Sequence, residues 1–253
     1  MYYLNGIISE KELSNEDFFY GYSLFETMYG LKGKILFLEE HLTRLTESAK
    51  LIGISIDFEL EKKIFDFIKQ FNEIEEFMIK IQVSQNSFYM KIEKFKGRTE
   101  IEGIKGEFIK DYYQNELGYL KSGNYLGNIL ARRKLNGFEG IFSNRDGIIT
   151  EGTISNVFFL KNNIVYTPSL ELNILPGITR NKIINLCKKI GFEVQEGYFS
   201  KENILDSDGI FFTNSLMKMG LLWVSEFENI KKNKTKEIHK LEKEYYKLTN
   251  DMI

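Results

Sequence analysis

Two side chains in the middle of the chain have the types and setting for carbonyl and amine chemistry. Lys121 heads the segment KSGN, with Asn124 one helical turn on, and Glu151 opens EGTISN after the turn signal Asn144-Arg145-Asp146-Gly147. A lysine amine can condense with an aldehyde, and once released it can act as a base, because a buried ammonium titrates below a solvated one. A carboxylate can hold a ring nitrogen protonated and so make that ring an electron acceptor. Taken singly, each has a plainer explanation, a solvated turn lysine and an exposed hairpin acid.

Further segments add candidate groups. Arg44 flanks a helical apolar face made by Leu38, Leu42, Leu45, Ala49 and Ile52, and its planar fork suits a phosphate. Leu175-Pro176-Gly177-Ile178-Thr179-Arg180 precedes a helix running to about Ile190, whose first amides, beside the Thr179 hydroxyl, would seat an anion. HLTRL, KSGN, EGTISN, Thr167-Pro168, ILPGITR and TNSLM follow one another in that order. This series resembles the fold-type IV pyridoxal phosphate enzymes, which include branched-chain and D-amino acid aminotransferases and 4-amino-4-deoxychorismate lyase. The resemblance runs from about Tyr3 to about Val224.

The resemblance implies a set of roles. Lys121 carries pyridoxal 5'-phosphate and serves as the catalytic base, and Glu151 pairs with the pyridine nitrogen. Arg44, Ile178, Thr179 and Ser215 hold the phosphate, while Phe25 and Asn214 lie toward the substrate. FYGYSLFETMYG is similar to the family's YGDGLFET strand, with Tyr22 and Ser23 where Asp and Gly are common. Phe25 stands where D-amino acid aminotransferases place a tyrosine hydroxyl for a substrate carboxylate. The arginine and histidine pair of many aminotransferases is also missing: FYMKIEKFKGR offers Lys91, Lys94, Lys96 and Arg98, with no ground for choosing among them. The short K-x-x-N spacing and TNSLM favour the lyase branch, which converts 4-amino-4-deoxychorismate to 4-aminobenzoate and pyruvate in folate biosynthesis. The alternatives are an aminotransferase acting on D- or branched-chain amino acids with 2-oxoglutarate, and a degenerate protein that binds the cofactor without turnover.

The elements that would position these groups follow from length and periodicity. With 253 residues and 43% apolar content the chain can form two lobes around a crevice. The expected class is α/β (α+β), with a small N-terminal α/β lobe over 1–112, a linker at 113–118 and a larger pseudo-barrel lobe over 119–253. Strands are expected at 2–9 with an Asn5-Gly6 turn, 19–30, 77–85, 88–95, 139–142, 148–160, 164–167, 192–199, 209–212 and 218–224, the last with Trp223 in the core. Helices are expected at 38–53, 58–71, from Lys121, 201–205 and 231–250.

Composition narrows the remaining classes. The 34 basic and 36 acidic side chains nearly cancel, so no strong field favours nucleic acid or an anionic membrane. Cys187 has no partner for an internal disulfide, no signal segment is visible, and no apolar run approaches about 18 residues, which suits a cytoplasmic protein. Two histidines and one cysteine do not make a usual zinc site, and there is no Gly-x-Ser-x-Gly, Walker lysine loop or G-x-G-x-x-G. The expected partners are a small-molecule amine substrate and, by resemblance, a second copy in a homodimer, with which 21 Phe and 14 Tyr are compatible.

Overall fold

Strict alternation in EFMIKIQVS puts Phe77, Ile79, Ile81 and Val83 on one face of a strand and Met78, Lys80 and Gln82 on the other. That strand, β5 (Glu76–Ser84), lies between β3 (Ser23–Leu31) and β6 (Phe88–Lys94) in a sheet of order β4-β3-β5-β6, with β4 at Lys34–Ile35. All neighbours are antiparallel, and Thr27, Lys80 and Lys91 stand in one row across three strands. Helix α1 (Leu38–Leu51) packs on β3, and α2 (Leu60–Lys69) buries Leu60, Ile64 and Ile68. A short hairpin, β1 (Tyr2–Leu4) with β2 (Ile7–Ser9), precedes them, and its expected Asn5-Gly6 turn lies outside the described residues.

The computed structural model describes the strands at 2–4 and 7–9 and residues 20–56, 59–71, 73–85, 87–95, 103–110, 116–216 and 222–252. It divides into two compact units, Met1–Phe95 with Leu120–Tyr125, and Lys96–Tyr119 with Leu126–Ile253. The second unit holds a nine-stranded sheet of order β12-β11-β10-β13-β14-β7-β8-β9, with β15 beside β14. Its strands are β7 (Ile104–Phe108), β8 (Glu139–Ser143), β9 (Ile149–Gly152), β10 (Asn156–Lys161) and β11 (Ile164–Pro168). They continue with β12 (Glu193–Gly197), β13 (Gly209–Thr213), β14 (Leu222–Phe227) and β15 (Ile230–Lys231). The sheet curls as a half-barrel around a core that includes Ile141, Ile149, Val157, Phe212, Val224 and Phe227. Helices α3 (Leu126–Arg133), α4 (Ile178–Lys189), α5 (Lys201–Leu205) and α6 (Lys236–Asn250) complete it, α4 packing on α6. Cys187 is buried in α4, and burial pushes its thiol up to about 12, which removes it as a nucleophile near neutral pH.

Several elements differ from expectation for identifiable reasons. Lys121 does not head a helix: its carbonyl accepts the Phe25 N–H at 2.8 Å, and the Gly123 N–H donates to Ser23 O at 2.8 Å. The 120–125 segment is therefore a short edge addition to β3, and α3 begins only at Leu126. Residues 104–108, which fall before the expected linker, form β7, which pairs in parallel with both β14 and β8. The chain changes unit at 95/96, 119/120 and 125/126. Trp223 is half-buried, because alternation turns Leu222 and Val224 into the core and lays the indole over Gly103. The last helix starts five residues late because β15 pairs with β14 first; Thr235 Oγ1 then caps it, accepting the Ile238 N–H. The expected 148–160 run breaks at 153–155, which separates β9 from β10. Among the described residues no helix is long and apolar enough to cross a membrane, and no group of three His, Cys, Asp or Glu side chains could hold a metal.

Candidate active site

In the first unit the Lys121 side chain is half-buried over aromatic rings. Its Nζ lies 4.5 Å from the centre of Phe25 and 5.3 Å from that of Tyr125. The two rings meet edge to face at 5.2 Å, so each fixes the other and the lysine rests on a rigid apolar floor. The backbone bonds to β3 set where Lys121 emerges. Gly123 is required there, since a Cβ would fall 2.5 Å from Ser23 Oγ. Ser23 in turn accepts from Gln82 Nε2 at 2.9 Å, and Tyr22 donates to Ile52 O at the end of α1. The two departures from the family strand thus anchor it.

Arg44 lies beneath this sheet. Its Nε and Nη2 both donate to Glu26 at 2.7 Å, and His41 Nδ1 donates to the same carboxylate at 2.7 Å. Glu26 is 1% exposed. Burial alone would raise its pKa, but the Arg44 charge together with the His41 and Arg44 bonds outweighs burial and holds it down to about 2. The Nε/Nη2 edge of Arg44 is therefore committed to Glu26, which sets the plane of the guanidinium. His41, 1% exposed, is held on Glu26 by that bond.

In the second unit the motifs that lie apart in sequence are tied by direct bonds. Glu151 Oε2 accepts the Leu175 N–H at 3.1 Å, and Asn156 Nδ2 donates to Leu175 O at 2.9 Å, so EGTISN and LPGITR meet. Asn214 Nδ2 donates to Ile154 O at 3.3 Å, which adds the strand end at 213–215. Asn214 Oδ1 also accepts the Leu216 N–H at 2.9 Å, so its amide serves as a brace; Ser215 beside it is half-buried. Helix α4 starts at Ile178 with no side-chain cap on its first amides, leaving the positive end of its dipole to an anion. The Thr179 hydroxyl faces Tyr245 of α6, whose phenol burial pushes upward. Arg180 is buried and donates to Pro168 O at 2.8 Å and Glu196 at 2.7 Å, locking α4 to β11 and β12.

Sequence inspection missed Glu139, which organises the 153–155 turn. It is fully buried, and its Oε1 accepts the Gly140 N–H at 3.0 Å, the Thr153 N–H at 2.9 Å and the Thr153 hydroxyl. Ser155 Oγ donates to its Oε2 at 2.8 Å. A lone acid inside the apolar strand GFEGIF was the available signal, as was Glu26 within LFETMY.

Pyridoxal phosphate can be tested against these groups. A primary amine on an aromatic floor, a carboxylate held by a backbone amide and an uncapped helix start match its aldehyde, ring nitrogen and phosphate in type. Gly177 allows a close approach before α4: a Cβ there would lie 2.0 Å from Asn156 Oδ1. The Thr213 hydroxyl, opposite Asn156 across the β10–β13 pair, is buried with no partner among the described residues. The donor set fits. Gly177→Ala is expected to displace Asn156, lower stability by about 1–3 kcal/mol, and weaken cofactor binding. Thermal unfolding of the apoprotein and a cofactor titration check both.

This fold and these groups define a class of enzyme, and direct comparison supplies the family. The amino-transferase class IV profile matches residues 23–223, and the chain belongs to that family. It is a pyridoxal phosphate-dependent enzyme of the lyase or aminotransferase type. Aminodeoxychorismate lyase of Bacillus subtilis is 30% identical over 249 residues, covering 87% of this chain and 84% of that protein. D-alanine aminotransferase of Bacillus licheniformis is 28% identical, covering 83% of each. A Legionella pneumophila structure provisionally named 4-amino-4-deoxychorismate lyase superposes with a TM-score of 0.82 at 28% identity, covering 96% of both chains.

Proposed function

We propose that this enzyme is a 4-amino-4-deoxychorismate lyase, releasing 4-aminobenzoate and pyruvate. The observation that carries the proposal is the Phe25 floor beneath Lys121: it is flat and apolar, lacks a hydroxyl for an α-carboxylate, and is bordered by Lys80 Nζ at 4.4 Å. A planar substrate ring suits such a floor, and similarity to the Bacillus subtilis lyase supports the same branch.

When bound, pyridoxal phosphate supplies an electron-accepting ring that makes the amine-bearing carbon acidic. Lys121 would hold the cofactor until the substrate amine takes its place, and the freed lysine amine would then take the proton from that carbon. The same amine returns a proton to the departing three-carbon fragment, so the substrate divides into the two products with no atom left over. Glu151 keeps the ring nitrogen protonated. The first amides of α4, at Ile178 and Thr179, hold the phosphate with Arg44 and Ser215. Asn214 braces the 153–155 turn that follows Glu151. The enzyme works in the cytoplasm as a homodimer, for which the exposed Leu126, Ile129 and Leu130 stripe on α3 offers apolar surface.

D-alanine aminotransferase is of comparable similarity, so the alternative is amino transfer to 2-oxoglutarate using the same lysine. The assay presents 4-amino-4-deoxychorismate and, separately, D- and branched-chain amino acids with 2-oxoglutarate. Equal amounts of pyruvate and 4-aminobenzoate are expected. Keto acid from the amino acids with no 4-aminobenzoate would overturn the lyase assignment, and absence of any product from a cofactor-loaded sample would indicate a degenerate scaffold.

A further inference from the structure

Lys80 belongs to none of the motifs above, yet its surroundings are unusual for a lysine. Alternation in β5 sends it to the face of the sheet opposite Ile79 and Ile81, both fully buried. Its ammonium sits 4.4 Å from the Phe25 ring centre, on the same ring that supports Lys121. Its cross-strand neighbours are Thr27 and Lys91, and Lys91 is itself paired with Glu93 at 2.5 Å. Among the described residues Lys80 has no carboxylate partner. Burial, and then the positive charge of Lys91, lower its pKa. A half-buried cation beside a second cation is costly unless an anion joins it.

We propose that Lys80 is a specificity-determining residue that receives the substrate carboxylate lying across a six-membered ring from the reacting amine. This rests on the lyase assignment and deepens it. Both amines lie within 4.5 Å of one ring centre, so the two nitrogens are no more than about 9 Å apart. An amine and a carboxylate in para positions lie about 6 Å apart and one charge-assisted hydrogen bond adds about 3 Å, which together span that full limit. The Phe25 ring, 8% exposed, carries both ammonium groups within 4.5 Å of its centre, so a substrate ring that reaches them meets an apolar wall. Lys80 thereby supplies the anion recognition that a phenylalanine at position 25 does not.

The test measures binding of 4-aminobenzoate, and of aniline as its uncharged counterpart, to cofactor-loaded enzyme by calorimetry. Lys80→Met is expected to weaken 4-aminobenzoate by about 10- to 100-fold, leave aniline unchanged and raise KM for the lyase substrate more than it lowers kcat. Lys80→Arg should recover most of the affinity, which a structural defect at this position would not. Unchanged 4-aminobenzoate affinity in a folded Lys80→Met enzyme overturns the inference, as does equal weakening of aniline. Loss confined to α-amino acids also overturns it, because Lys80 would then hold an α-carboxylate. Wild-type enzyme that makes no pyruvate while its 4-aminobenzoate binding still depends on Lys80 would sink the lyase assignment and leave the carboxylate contact standing.

Discussion

Lys121→Ala is expected to lower turnover by at least about 1,000-fold, since in the proposed mechanism one group supplies both the covalent attachment and the proton transfer. The fold should survive the change. The segment is held to β3 by the Lys121 carbonyl and the Gly123 N–H, and the side chain takes no part in either bond. The thermal midpoint of the apoprotein should therefore move little, separating a chemical loss from a structural one. Borohydride reduction of wild-type enzyme, followed by peptide mass spectrometry, should place the pyridoxyl mass on Lys121 and leave Lys80 unlabelled. Labelling of Lys80, which shares the Phe25 ring, would reverse the two assignments. Lys121→Arg keeps the charge over Phe25 and Tyr125 but cannot condense with an aldehyde, so it should be as inactive as the alanine variant.

Glu26→Ala is expected to destabilise the first unit by about 3–5 kcal/mol, because it strands the Arg44 guanidinium and the His41 ring without their common acceptor. Arg44 is largely buried and Glu26 wholly so. Solvent would therefore do little to replace the lost carboxylate. The pH dependence has a definite sign. A carboxyl held at about 2 in the folded chain, against an ordinary value of 4.5, contributes stability that is fully present above about pH 4.5. That contribution, on the order of 3 kcal/mol, is lost as pH falls from there toward 2. Denaturant unfolding at pH 7 and pH 3 should show a smaller difference for Glu26→Ala than for wild type. A weaker hold on the cofactor should accompany the change, as Glu26 sets the plane of Arg44. Normal stability and normal cofactor affinity together would remove Glu26 from both tasks.

Much of this molecule was legible in its sequence because local periodicity reports which face of an element is buried. The alternation of β5 and the helical spacing of α1 and α4 needed no tertiary information. The order of HLTRL, KSGN, EGTISN and LPGITR carried the family. The misplaced elements are those in which nonlocal pairing decides conformation. KSGN reads as the start of a helix, but the open edge of β3 takes its backbone groups first. β7, at 104–108 and so before the expected linker, joins the sheet of the second unit because β14 and β8 each offer it an edge.

By itself, the sequence determined the identity of the candidate chemical groups, since residue type sets what an amine, a carboxylate or a helix start can do. Only the tertiary structure decided what holds those groups. Glu26 on Arg44, Glu139 beneath the turn after Glu151, and Lys80 on the ring under Lys121 are contacts between distant strands and helices. Sequence spacing does not encode such partners, because a buried charge is stabilised by whichever groups the fold brings within hydrogen-bond reach.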